Sequence, residues 1–82
     1  MKATILIRPR YGVPDFEGEA IMQRLGEAGY SEISEVRIGK IVDLTIEVAD
    51  EVGLEKRLET LSKRLLLHPQ TEEFTILEIT ED

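Results

Sequence analysis

The chain has no cysteine, no tryptophan and no asparagine. Without cysteine there is no disulfide framework, no thiolate zinc site and no thiol nucleophile. A single histidine, His68, is too little for a His-rich metal site. Aromatic residues are scarce, two Tyr and two Phe, so few stacking platforms exist for bases. The balance of 10 Lys and Arg against 17 Asp and Glu gives a net charge of −7, a field that repels phosphate backbones and disfavours nucleic-acid binding. No apolar run is long enough to cross a bilayer, and Met1-Lys2-Ala3-Thr4 passes directly into strand-like alternation. Neither a membrane span nor a signal peptide is expected. What is present is 82 residues, 41% of them apolar and 33% charged, which is enough for one folded domain spanning 1–82 and too little for two. A domain of this size buries roughly 60–65% of the surface of its unfolded chain, so its core is thin and a partner chain would help it. The expectation is an acidic domain of the reducing cytoplasm.

Hydrophobic periodicity divides the chain into six segments. Ala3, Ile5 and Ile7 alternate with Thr4, Leu6 and Arg8, a strand from about Lys2 to Arg8 that Pro9 ends. After the loop Arg10-Tyr11-Gly12-Val13-Pro14, Asp15 stands as an N-cap for an amphipathic helix from Phe16 to Ala28. Its stripe is Ala20, Ile21, Leu25 and Ala28, and Gly29-Tyr30 makes a Schellman-type stop. Ile33 to Val48 reads as two strands broken at Gly39-Lys40. A three-residue connection, Gly39 to Ile41, pairs Ile38 with Val42 and Val36 with Leu44 and keeps that face apolar, although a long strand shared with another chain has the same phase. Asp50 is placed to cap a second helix from about Glu51 to Leu67 with Leu54, Leu58, Leu61 and Leu65 buried and Glu59-Lys63 paired outside. His68-Pro69 stops it, and Glu73 to Thr80 forms a last strand with Phe74 and Ile76 on one face and Leu77 and Ile79 drifting to the other.

The order β-α-β-β-α-β points to an α+β fold: a four-stranded antiparallel sheet with both helices on one face, ferredoxin-like, with strand exchange possible in an oligomer. Two helices on one face leave the other open. Leu6, Ile41, Leu77 and Ile79 are candidates for that face and for a homo-oligomer contact.

No catalytic constellation is visible. His68 sits at a helix C-terminus, where a charged imidazole meets the dipole favourably. The carboxylates are scattered and read as a solvated surface, and no calcium-type loop occurs. Gly26 and Gly29 lie at the wrong end of a helix for an anion. An acylphosphatase-like reading of the Arg8 to Val13 loop fails for want of an Asn and of an Arg in the first helical turn. The most basic spot is Arg37-Ile38-Gly39-Lys40, which fits equally a wet turn with an unusual backbone angle at Gly39 and a contact for an acidic partner.

Three segments carry a resemblance. Gly12-Val13-Pro14-Asp15-Phe16-Glu17-Gly18-Glu19-Ala20-Ile21 is similar to a Gly-Val-x-Asp-Pro-x-Gly-x-Ala-Ile opening. Leu25-Gly26-Glu27-Ala28-Gly29-Tyr30 and Val36-Arg37-Ile38-Gly39-Lys40 resemble Leu-Gly-x-x-Gly-Tyr and Val-Arg-x-Gly-Lys signatures. Leu65-Leu66-Leu67-His68-Pro69 with Glu72-Glu73-Phe74 resembles Leu-Leu-x-Asn-Pro-x-x-Glu-x-Tyr/Phe. These are the motifs of PurS, the small subunit of phosphoribosylformylglycinamidine (FGAM) synthase. Phe16 stands where the family has Pro, and His68 where it has Asn. The resemblance implies a subunit with no catalytic residue and no cofactor of its own. ATP and Mg are used by the large synthetase subunit (PurL), and ammonia comes from a glutaminase subunit (PurQ). It also implies a homodimer or homotetramer that joins the two. Arg37, Gly39 and Lys40, then Arg10, Tyr11 and Gly12, are the expected contacts with the larger subunits. The rival reading is an ACT-like regulatory domain that binds a small molecule at a dimer interface, a class that shares the element order.

Overall fold

The computed structural model describes residues 1–47 and 52–81. Strand β1 is Lys2–Pro9, helix α1 Phe16–Glu27, strand β2 Lys40–Thr45, helix α2 Leu54–Leu61 and strand β3 Glu72–Thr80. A π-helical turn, Ser62–Leu66, continues α2. The expected Asp50 cap lies outside the described residues.

The sheet is antiparallel, in the order β2-β1-β3. On β1 the alternation works as the sequence implies: Ala3, Ile5 and Ile7 are buried and their neighbours are not. Facing them, Leu54 and Leu58 of α2 and Leu67 beyond it complete the core, with Val42, Leu44, Phe74 and Ile76 at its margin. Met1 joins the ladder, its amino group donating to the Ile46 carbonyl at 3.0 Å and its carbonyl accepting from Ile46 N–H at 2.7 Å.

The fold class is α+β, but among the described residues the sheet has three strands and the expected hairpin is not formed. Val42 faces Ile5 and Ile41 faces Leu6, both on β1, and residues 33–38 belong to no strand. The backbone donor of Ile38 goes instead to Asp15 Oδ2 at 2.7 Å, which holds this segment on the start of α1 rather than on β2. Helix α1 is also not where two helices on one sheet face would place it. It gives no side chain to the core, and Gly18 is its one buried residue. Its stripe residues Ile21 and Leu25 are half-buried, and Ala20 and Ala28 are exposed. The molecule is accordingly long, 51 × 27 × 15 Å, with a radius of gyration of 16.2 Å. A compact chain of this length has about 12 Å. Helix α1 and residues 33–38 form an arm beside a small two-layer body. The stop of α1 follows the sequence: Tyr30 N–H donates to the Leu25 carbonyl at 2.9 Å and Gly29 N–H to that of Gly26 at 3.1 Å, with Gly29 at φ +95°.

Two local irregularities move side chains from their expected faces. In β3, Ile5 faces Ile76 while Thr4 faces Glu78, so Leu77 is an extra residue at a bulge. The bulge restores Ile79 to the core face opposite Ala3, and Ile79 packs against the core rather than on the open face. In the π-helical turn, i→i+5 bonding puts one more residue in the turn, so Leu66 rather than Leu65 follows Leu61 toward the sheet. Leu65 is 78% exposed, against the expectation that it is buried. The same change of phase parts Glu59 from Lys63, which form no ion pair.

Candidate functional site

The loop from β1 to α1 and the segment before β2 meet in a cleft of about 390 Å³. Arg10, Tyr11 and Gly12 line one side, Glu35, Val36 and Arg37 the other, and Asp15 and Glu19 of the α1 start the floor. Four of the six contact candidates, Arg10, Tyr11, Gly12 and Arg37, are thus brought together from separate stretches of chain. Gly39 and Lys40 are not among them.

Asp15 fastens the two walls. Its Oδ1 accepts Gly18 N–H at 2.9 Å, the N-cap bond, while Oδ2 accepts Ile38 N–H at 2.7 Å. These two backbone donors, that of Ile38 foremost, hold its carboxyl below the ordinary aspartate value near 3.8, and Arg37 nearby adds to the effect. The walls approach so closely that any side chain at residue 18 would have to push them apart. A Cβ there would lie 2.5 Å from the Val36 carbonyl oxygen and 2.6 Å from Asp15 Oδ2.

Arg37 crosses the cleft with its guanidinium carbon 4.3 Å from the centre of the Tyr11 ring, a cation–π contact. Among the described residues, one amino nitrogen of Arg37 is buried without a hydrogen bond, and Glu73 of β3 lies 3.8 Å from it. Arg8 reaches the same Glu73 oxygen at 3.3 Å. Arg10 is a brace: its Nε donates to the Pro69 carbonyl at 2.9 Å and its backbone N–H to that of Thr71 at 2.9 Å. That ties the cleft to the turn after the π-helical segment. The His68 backbone N–H in this turn donates to Glu72 Oε1 at 2.9 Å.

Gly39 does not supply the unusual backbone angle read from the sequence. Its backbone angle is ordinary, but a Cβ would lie 2.5 Å from the Ile7 carbonyl oxygen, so it lets the chain press onto β1. Lys40 opens β2 opposite Ile7 and is exposed. Sequence reasoning missed Glu73 as the carboxylate shared by Arg8 and Arg37, and missed the second bond of Asp15. A strand residue's cross-sheet partner has no local signal; the Asp-x-x-Gly spacing of 15 and 18 was the available hint of the close approach.

Among the described residues, no group of three or more His, Asp or Glu stands together to hold a metal, and no helix is long and apolar enough to cross a membrane. On the open sheet face, Leu6 and Ile41 are cross-strand partners, with Ile41 51% and Leu77 53% exposed.

The fold and cleft define a class: a small α+β protein with a three-stranded antiparallel sheet, one covering helix and an outlying helical arm. The profile of PurS, phosphoribosylformylglycinamidine (FGAM) synthase, matches residues 2–80, and the chain belongs to this family. It is 37% identical over 70 residues to the PurS subunit of phosphoribosylformylglycinamidine synthase from Synechocystis, covering 85% of this chain and 70% of that one. The Bacillus subtilis PurS structure has a TM-score of 0.82 and 30% identity, covering 98% of both chains. A chain in the structure of PurLQS from Thermotoga maritima has a TM-score of 0.77 and 25% identity, covering 96% of this chain and 99% of that one. The chain is therefore a subunit of FGAM synthase, an enzyme of purine biosynthesis.

Proposed function

We propose that this subunit is non-catalytic and bridges the ATP-dependent synthetase subunit, PurL, and the glutaminase subunit, PurQ, supporting passage of ammonia from glutamine to formylglycinamide ribonucleotide. The observation that carries this reading is the likeness to a chain of PurLQS over 96% of this one. The physical need for such a bridge is retention. Ammonia released to water is protonated and diluted, whereas two sites held in one assembly exchange it at high effective concentration. ATP and Mg belong to the large subunit, this chain binds no cofactor, and the complex works in the cytoplasm.

The cleft is the first contact with a larger subunit, with Arg37, Tyr11, Arg10 and Gly12 at its rim. Lys40 stands exposed near the same end of β1, and Gly39 beside it lets the backbone press onto that strand. The chain associates with itself as a dimer or tetramer. The half-buried stripe of α1, the open-face residues Leu6, Ile41 and Leu77, and a β2 edge with no partner beyond β1 among the described residues all support this. That edge also accommodates a fourth strand exchanged from another copy.

Reconstitution tests the reading. With PurL and PurQ, adding this chain should restore glutamine-dependent amidation, while amidation driven by added ammonium salt should proceed without it. Glutamine-dependent turnover at full rate in its absence contradicts the bridging role.

A further inference from the structure

The cleft holds charge of both signs that its own residues leave unmatched. Among the described residues the guanidinium of Arg37 has no hydrogen bond. It lies over the Tyr11 ring, its side chain is 19% exposed, and the Glu73 oxygen 3.8 Å away is engaged more closely by Arg8 at 3.3 Å. A cation withdrawn this far from water gains most from a carboxylate brought to it. Glu19 and Glu35 are the converse. They line the same cleft, and their carboxylates have neither ion pair nor hydrogen bond among the described residues. The third acid, Asp15, is committed, because each of its oxygens accepts a backbone N–H. What stays open is two positive residues, Arg10 and Arg37, and two negative ones, Glu19 and Glu35. The signs lie at different ends. Glu19 and Glu35 also line an adjoining hollow of about 400 Å³ beside α1, so they stand where the two spaces meet, whereas Arg10, Tyr11 and Arg37 line the cleft alone.

We propose that the cleft binds a free α-amino acid with a neutral polar side chain, as its zwitterion. The α-carboxylate meets Arg37 and the α-ammonium meets Glu19 and Glu35. The side chain extends into the hollow, where Gln23 and Ser34 offer hydrogen bonds. A cleft of about 390 Å³ is in the size range of small-molecule sites. A phosphate or a dicarboxylate carries negative charge past the arginines to the two glutamates, and a polyamine carries positive charge onto Arg37, so neither sign alone fits. The proposal does not rest on the bridging role, since binding of this kind is a property of the chain by itself.

The test is titration of the isotope-labelled full-length chain with L-glutamine as the probe, read by NMR and by calorimetry. Saturable shifts are expected at the amides of Gly12, Glu19 and Val36, with a dissociation constant in the millimolar range or tighter. E19Q/E35Q should weaken binding at least about tenfold, and R37M by as much. L-glutamate, whose second carboxylate would lie beside the two glutamates, should bind at least about tenfold more weakly than L-glutamine. Succinate and putrescine, which carry one sign each, should not compete. Glu19 and Glu35 are exposed, so E19Q/E35Q keeps the fold and decides the matter if circular dichroism shows R37M to be unfolded. The absence of saturable shifts overturns the inference, and so does undiminished binding by E19Q/E35Q. Succinate, putrescine or L-glutamate binding as tightly as L-glutamine overturns it as well. None of these results touches the bridging role, which reconstitution tests separately.

Discussion

Two glycines of α1 should respond to alanine with opposite signs. Both are helical, so the backbone term alone favours alanine at each by about 1 kcal/mol. At Gly26 a built Cβ finds nothing within 4 Å, and the residue is exposed. Gly26→Ala should therefore stabilise the protein by about 0.5–1 kcal/mol, the unfolded chain losing freedom with no cost in the folded one. At Gly18 the same methyl would lie 2.5 Å from the Val36 carbonyl oxygen and 2.9 Å from Asp15 Cγ. Relieving that contact requires residues 36–38 to move away from the helix, which stretches the Asp15 bond to Ile38. Overpacking of this kind costs about 1–3 kcal/mol, which exceeds the helix gain. The net for Gly18→Ala is up to about 2 kcal/mol of destabilisation, and its distance from Gly26→Ala is about 0.5–3 kcal/mol. For a domain of this length each kcal/mol moves the melting temperature by about 4–8 °C. Urea unfolding at fixed protein concentration reads both variants against wild type. Equal stabilisation by the two would refute the reasoning, because it would show that residues 36–38 are not seated on the helix.

Ser62 is fully buried and its hydroxyl has no hydrogen-bond partner among the described residues, so Ser62→Ala should raise stability by about 1 kcal/mol, measured by urea titration; a loss of that size contradicts it. Leu58→Ala, at the 0% exposed centre of the core, should cost about 2–5 kcal/mol, whereas Leu65→Ala should cost under about 0.5 kcal/mol. Equal costs would return Leu65 to the core stripe. Asp15 has a depressed folded pKa, so its contribution is complete above its ordinary value near 3.8 and disappears as pH falls through the lower one. The stability gap between wild type and Asp15→Asn should hold constant from about pH 7 to 5 and close in strong acid. A gap of unchanged size at about pH 2 means that the charge is not the source. Arg37→Glu should impair assembly with the larger subunits on a sizing column while leaving the chain folded, and unaltered assembly removes the cleft from the interface.

Local signals were legible wherever the answer was local. Period-two alternation in β1 gave its buried face, Asp15 its cap, and Gly29 its left-handed stop, because each depends on residues within one turn. The pattern also showed that α1 and residues 33–38 each have an apolar side. It carried no information on whose surface covers that side, and the expectation of a compact four-stranded domain assumed the covering surface was in the same chain. The structure instead commits the Ile38 donor to Asp15 and leaves the stripe of α1 half-bare. The bulge at Leu77 and the π-helical turn were hidden for a related reason: each inserts one residue into a period, and a periodic template absorbs such a step as drift in phase. The drift at Leu77 and Ile79 reads in the sequence as a change of face, whereas the ladder accommodates it by ejecting one residue. At Leu65 there was no visible drift, since three consecutive leucines at 65–67 satisfy either phase. The energetic choice between the phases is set by the core. Leu66 and Leu67 fill the space over the sheet, and the cost of the wider turn is offset by two inward leucines instead of one. The exposed leucine is the by-product.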